Sequence, residues 1–271
     1  MTITIIGGGI IGLTTAFELT ERGESVHLID AETSGYGTAD DGTALYPAAS
    51  HYAGGMLAPI AEVQFQQDAL FPLMTASADA YPSLMERLSH ATDLPTGYDT
   101  TGTLIIAADR ADAEHLQRTR AYYRDMNRPA DPVTPTQARA LEPLLAPRIA
   151  GAVSIPSDHQ LHPRLMRRAL KDALTRRGVT FSAERVTDPD AGDIICAGLG
   201  ATLHGDYPLR PVYGDILRLR APRPILKHVV RGYVNSRPVY LIPRPDGELC
   251  IGATSREDHR TLPAIDGVHQ L

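Results

Sequence analysis

Residues Thr2–Asp30 read TITIIGGGIIGLTTAFELTERGESVHLID, and this stretch decides the fold. Thr2–Ile6 is a short β-branched run, Ile10–Arg22 has helical periodicity, Gly23 stops the helix, and Ser25–Ile29 is a second apolar run. The order is strand, helix, strand. Between the first strand and the helix, Gly7-Gly8-Gly9-Ile10-Ile11-Gly12 fits G-x-G-x-x-G. Gly7 permits the tight turn, Gly9 lets backbone approach a pyrophosphate, and Gly12 lets the helix pack closely on the sheet. The open N–H groups at the helix start favour phosphate. Asp30 closes the second strand at close to the spacing of about 20 residues at which an acid meets ribose hydroxyls. A glycine turn without ligand is the alternative, and the full strand–turn–helix–strand–acid context favours dinucleotide binding. The motif does not by itself choose between a nicotinamide and a flavin.

Outward from this unit, Ala31–Pro59 is rich in Gly, Ala, Ser and Thr, and a loop of that length in a compact domain is functional or disordered. Its end, Gly54-Gly55-Met56-Leu57-Ala58-Pro59, offers small residues for close backbone approach and then an apolar contact. A helical pattern runs from Ala69 to His90, interrupted or capped at Pro72 and Pro82. Thr103–Ala107 and Ile149–Ile155 read as strands, Ala111–Asn127 and Gln137–Leu141 as helices. Pro163 opens a helix through Arg177 that Gly178 ends. Short strands are expected at Val179–Phe181, Asp193–Cys196 and Val212–Leu219. Val239–Pro243 and Glu248–Ala253 flank Arg244-Pro245-Asp246-Gly247, a hairpin turn. Parallel pairing at the start and antiparallel pairing later imply an α/β fold. It is a Rossmann-like domain interleaved with a mixed-sheet α+β domain.

The chain has 271 residues, 43% hydrophobic and 21% charged, enough for a sizeable core. A net charge of −6 argues against a nucleic-acid binder. No apolar run reaches membrane-spanning length and no basic leader precedes a cleavage site, so no membrane partner and a cytoplasmic location are expected. Cys196 and Cys250 sit in apolar strand-like runs and read as buried free thiols.

Beyond Thr2–Asp30, three segments carry a resemblance: AGGMLAP (Ala53–Pro59), RPVYGDILRLR (Arg210–Arg220) and VYLIPRPDGELCIGAT (Val239–Thr254). With weaker matches around Thr103 and Pro163, they make the chain resemble the FAD-dependent D-amino acid oxidase family, in its glycine-oxidase branch. The resemblance implies FAD along Gly7, Gly9, Ile10, Ile11 and Gly12, with Asp30 and Ala31 at the adenosine ribose. It implies Ser50 near the pyrophosphate and Val186 at the adenine. Gly54, Gly55 and Met56 would lie beside the isoalloxazine, and Tyr240 together with Met56 would line the substrate pocket. It divides the chain into FAD-binding segments 1–62 and 149–206 and substrate-domain segments 63–148 and 207–271.

The implied activity is oxidation of glycine or another small amino acid by O2, giving an imine and hydrogen peroxide, in thiamine biosynthesis. No side chain acts as base or nucleophile, no metal takes part, and a homo-oligomer is compatible with the pattern. The competing readings are a nicotinamide-dependent dehydrogenase and a non-catalytic module. The family continues past the position of Leu271 with an arginine that binds substrate carboxylate, so the chain is expected to be a fragment and inactive alone. Arg244 is a substitute for that arginine, but its place between two prolines favours a structural role. Asp158, His159 and His162 lack further ligands for a metal site and read as a helix entrance. Arg164, Arg167, Arg168 and Lys171 read as a solvated basic face.

Overall fold

The structure is a computed structural model that describes residues 1–31, 37–38, 44–45, 49–62, 69–126, 129–186, 188, 190–203, 209–234, 237–257 and 267. The first elements are β1 (Thr2–Ile6), α1 (Ile10–Glu21), β2 (Ser25–Ile29), β3 (Gly37–Thr38), β4 (Ala44–Leu45), α2 (Ala49–Tyr52) and β5 (Met56–Leu57). Next come α3 (Phe71–Ala91), β6 (Thr103–Ala107), α4 (Arg110–Asp125), β7 (Asp131–Val133), α5 (Pro135–Leu141), β8 (Gly151–Ile155) and β9 (His159–Gln160). The last are α6 (Pro163–Arg176), β10 (Thr180–Ser182), β11 (Ile194–Ile195), β12 (Leu217–Arg220), β13 (Val229–Val234), β14 (Arg237–Pro243) and β15 (Glu248–Gly252). They form two compact units, residues 1–53, 83–96 and 162–211, and residues 54–82, 97–161 and 212–271.

The first unit holds a four-stranded parallel sheet in the order β10-β2-β1-β11. The order reverses at β1: the chain passes through α1 to β2 on one side, and β11 returns on the other. In open α/β sheets ligands bind at the carboxyl ends of strands at such a switch point. Leu13, Ala16 and Phe17 of α1 are buried, as are Met166, Ala169, Leu170, Ala173 and Leu174 of α6, at the spacing of one helix face. The two helices are also tied by charge. Arg177, which caps α6, pairs with Glu21 of α1 and lies over the Phe17 ring at 4.5 Å; Arg87 of α3 pairs with Glu18 of α1 at 2.5 Å.

The second unit is built on a seven-stranded mixed sheet, β12-β15-β14-β13-β6-β8-β7. β6 is buried along its whole length, so alternate residues face opposite sides of the sheet. Ile105 and Ala107 join Leu116 and Tyr123 of α4, while Leu104 and Ile106 join Ala138 of α5. Asp109 caps α4 by accepting from the Asp112 N–H, and Thr134 with Gln137 forms a capping box on α5. A two-stranded ribbon of β5 and β9 pairs Met56 with Gln160.

The expected α/β architecture with a Rossmann-like unit and a mixed-sheet unit is what the structure shows, but several details differ. Residues 54–62 and 149–161 belong with the mixed sheet rather than the parallel one, because β5 pairs with β9 and β8 pairs with β6 and β7. Conversely, 83–96 and 209–211 fall in the first unit. Pro82 does not interrupt α3, although the division between the units falls between Pro82 and Ser83. The strand expected over Val212–Leu219 forms only at Leu217–Arg220. β13, which the sequence reading did not anticipate, pairs in parallel with β6 and antiparallel with β14. No described helix is long and apolar enough to cross a membrane.

Candidate functional site

In the first unit the glycine segment Gly7–Gly12 turns the chain from β1 into α1. Gly7 has φ +106°, and a Cβ there would lie 2.3 Å from the Cys196 carbonyl oxygen on the neighbouring strand segment. A Cβ on Gly12 would lie 1.9 Å from the Gly7 carbonyl oxygen. Neither position has room for any side chain. Gly9 is the N-cap of α1 in extended conformation and contributes no side-chain cap. The first-turn N–H groups of a helix lack intrahelical partners. One of them, Ile10 N–H, donates to Ser50 Oγ at 3.2 Å, and Ile11 is exposed at the same end.

Asp30 does not merely stand at the end of β2. Its Oδ2 accepts from the Gly8 N–H, so the carboxylate folds against the glycine turn. Ala31 follows it, half-buried, and Val186 is half-buried beyond β10. Thus Gly7, Gly9, Ile10, Ile11, Gly12, Asp30 and Ser50 come together, with Ala31 next to Asp30. Among the described residues no hydrogen bond joins Val186 to the turn.

The sequence reading missed what holds this cradle. Arg167 Nη2 donates to the Gly8 carbonyl at 3.3 Å, and Arg164 Nε donates to the His51 carbonyl at 2.9 Å, pinning the short helix that carries Ser50. The expected solvated basic face is therefore only partly so: Arg168 and Lys171 are exposed, whereas Arg164 and Arg167 are half-buried. The missing signal was register. Both arginines flank buried Met166 on α6, so they rim its apolar face instead of opposing it.

In the second unit Arg244 is 3% exposed. Its guanidinium donates to Gln160 Oε1 at 2.8 Å and to the Gly54 carbonyl. Leu161 N–H donates to the Gly55 carbonyl at 2.9 Å, and Gly55 has φ +87°. These contacts fix the backbone of Gly54, Gly55 and Met56 against β9. Nη1 and Nη2 thus have the structural role expected for Arg244, while its Nε is buried with no hydrogen-bond partner among the described residues.

Asp158 is fully buried and accepts from Ile60 N–H at 3.2 Å and Ala61 N–H at 2.7 Å. It therefore anchors the segment after Met56, and the expected role at the entrance of the following helix is corrected. Burial pushes its carboxyl up to about 7, against the two N–H bonds and the nearby Arg231, which favour the charged form. Among the described residues no group of His, Cys, Asp and Glu is arranged to hold a metal ion.

Tyr240 lies on β14 opposite Gly252 of β15, and a Cβ at Gly252 would meet the phenol oxygen at 2.4 Å. A Cβ on Gly54 would lie 3.5 Å from the same oxygen. Burial, assisted by the Glu62 charge, pushes the phenol up to about 12, so it remains a neutral donor across working pH. Met56 packs against the cluster of Val229, Ile242 and Cys250, as Tyr240 does. Met56, Glu62, Met74 and Tyr81 are among the residues around an open cleft of about 320 Å³.

Comparison with known proteins gives the family and the fold. The family model described as FAD dependent oxidoreductase (DAO) matches residues 2–270. A glycine oxidase of Geobacillus kaustophilus is 30% identical over 93% of this chain and 70% of its own length. A bifunctional protein ThiO/ThiG of Nostoc is 27% identical over 94% of this chain, which spans 40% of that relative. The crystal structure of glycine oxidase from Geobacillus kaustophilus superposes with a TM-score of 0.81 at 28% identity, covering 98% of this chain and 75% of that one.

Proposed function

The chain belongs to the FAD dependent oxidoreductase (DAO) family, and from that premise we propose that it oxidises the amine of glycine or another small amino acid in the cytoplasm, in the thiazole branch of thiamine biosynthesis. The substrate loses a C–H hydrogen with its electron pair and an N–H proton, leaving an imine that water converts to the 2-oxo acid and ammonia. O2 takes up the two electrons and two protons as hydrogen peroxide. FAD, the family's cofactor, supplies the two-electron acceptor when bound.

The residues of this chain bind and orient. In the first unit we assign the pyrophosphate to the N–H groups of Gly9, Ile11 and Gly12, beside the Ile10 N–H that Ser50 accepts, where the helix start carries partial positive charge and a Cβ-free turn admits close approach. Ser50 stands beside that turn, Asp30 and Ala31 take the ribose, and Val186 offers backbone to the adenine. In the second unit Gly54, Gly55 and Met56 present a pinned backbone to the flavin ring, and Tyr240 donates to the substrate carboxylate. The observation that carries this reading is the doubly constrained turn at Gly7 and Gly12, which leaves no space for any residue but glycine.

With O2 present, purified protein loaded with FAD is expected to release hydrogen peroxide stoichiometric with 2-oxo acid from glycine, sarcosine or D-alanine. Reduction of added nicotinamide cofactor with no peroxide would overturn the proposal. FAD is expected to leave the protein on acid precipitation, giving a yellow supernatant. Cys196, the cysteine beside the glycine turn, is held as a thiol by burial.

A further inference from the structure

A buried cation is costly unless an anion pairs with it. Arg244 is buried, yet among the described residues it forms no ion pair. Its two hydrogen bonds go to neutral acceptors, Gln160 Oε1 and the Gly54 carbonyl, and its Nε has no partner at all among the described residues. Glu248, whose charge reaches Arg244, is taken by Arg218 of the neighbouring strand β12 at 2.6 Å. Cys250 also neighbours the guanidinium, but burial holds it as a thiol that donates to Glu248, so it brings no countercharge. The positive charge of Arg244 is thus left without an anion of its own in the second unit.

The carbonyl that accepts from Nη2 belongs to the Gly54–Gly55 peptide, which is trans, so the Gly55 N–H points the opposite way, away from the guanidinium. That N–H makes no hydrogen bond among the described residues. The surroundings are apolar. A Cβ on Gly54 would lie 2.6 Å from Ile242 Cδ1, and Ile242, Val229 and Cys250 form a buried cluster against which Met56 packs. In such a setting charge is poorly screened, and hydrogen bonds in series polarise one another. Guanidinium, carbonyl and N–H form a series of this kind: the cation draws electron density toward the Gly54 oxygen and leaves the Gly55 N–H a stronger donor. A strong donor backed by an unpaired cation favours negative charge developing in front of it. A flavin ring gains such charge when it accepts two electrons.

Resting on the proposed function, which sets the Gly54–Met56 backbone beside the flavin ring, we infer that Arg244 is a positioning residue that favours the reduced flavin by acting through the Gly54 carbonyl on the Gly55 N–H. The guanidinium touches neither ring nor substrate. Holding Gly54 in place needs a donor but no charge, and this is the difference by which the inference is tested.

The experiment poises the flavin-loaded protein against a reference dye without oxygen and reads the ratio of reduced to oxidised flavin from the absorbance, with flavin content and Tm measured alongside. Arg244→Gln keeps a donor for the Gly54 carbonyl and removes the charge. Its ratio is expected to fall by roughly 5- to 10-fold, the difference between a charge-assisted and a neutral hydrogen bond. Arg244→Lys keeps the charge and should stay near the parent protein, even where its lost fork lowers Tm. A ratio that follows charge across these variants, and not Tm, supports the inference. An unchanged ratio in Arg244→Gln with normal flavin content would overturn it and leave the flavoprotein reading intact, as would equal falls in Arg244→Gln and Arg244→Lys. A protein whose flavin ratio follows the charge but which oxidises no amino acid would overturn the proposed substrate and uphold the role of Arg244. A protein that takes up no FAD would overturn both.

Discussion

The candidate sites of the two units, each taken by itself, are made of different material. The cradle in the first unit is backbone: a turn of glycines whose Cβ positions are filled by neighbouring carbonyl oxygens, with a helix start behind it. The candidate site of the second unit is side chain: Tyr240, with the buried Arg244 and Asp158 that hold the Gly54–Ala61 backbone. A site made of backbone fails all at once when a side chain intrudes. A site made of side chains degrades one contact at a time. Substitutions in the two parts should therefore differ in the shape of the loss as well as its size.

The largest effect is expected from Gly12→Val. Three branched carbons would have to occupy the space of the Gly7 carbonyl, so the turn must open, and flavin retention should fall to nothing by absorbance of the purified protein. Flavin content equal to the parent protein's would remove this turn from the binding site. Next in size is Arg244→Met, which strips two buried acceptors, Gln160 Oε1 and the Gly54 carbonyl, of their donor. At about 1–3 kcal/mol for each acceptor left unsatisfied, Tm should drop by roughly 5–15 °C, with the flavin cradle of the first unit still able to bind FAD. A Tm within a degree of the parent's would mean that other donors replace the guanidinium.

A smaller and pH-dependent effect is expected at Asp158. Its carboxyl is raised to about 7, above the unfolded value near 4. Between those values the folded state keeps a proton that the unfolded chain has released. The stability this proton confers is complete below the unfolded pKa and is lost as pH rises through about 7. Thermal melts from pH 4 to 8 should show this loss as linkage of up to about one proton per molecule, and Asp158→Asn should flatten it. An identical pH profile in Asp158→Asn would assign the linkage elsewhere. The smallest change belongs to Ser50→Ala, which removes one hydrogen bond at 3.2 Å to the Ile10 N–H. A loss of about 0.5–1.5 kcal/mol in FAD affinity, read by fluorescence titration, is expected.

How much of this was legible follows from how far apart in sequence the contributing residues lie. The βαβ opening was readable because strand run, glycine turn, helix and Asp30 are contiguous, and every element of the motif has a local steric or electrostatic reason. The Arg244–Pro245–Asp246–Gly247 hairpin was readable for the same cause, its turn chemistry being local. β13 escaped because Arg231 and Gly232 break the apolar pattern of Val229–Val234; its strand character comes from pairing with β6 and β14 on either side. The segment boundaries at 54–62 and 149–161 escaped because the decision between the two sheets is made by strand partners far along the chain, Met56 with Gln160 and Thr103 with Ile155.

The sequence by itself determined that a glycine turn joins β1 to α1 and that Gly12 faces the Gly7 carbonyl, because that contact is made within one strand–helix junction, whereas the space around Gly7 is closed by the Cys196 carbonyl of a distant segment. Only the tertiary structure decided that Arg164 and Arg167 brace that turn, that Asp158 anchors the backbone of Ile60 and Ala61, and that Arg231, across from Tyr240, pairs with Glu62. A guanidinium or a carboxylate carries no record in its own sequence neighbourhood of which distant carbonyl, N–H or phenol it will meet. That partner is set by sheet register and helix packing, which sum many weak contacts across the whole unit.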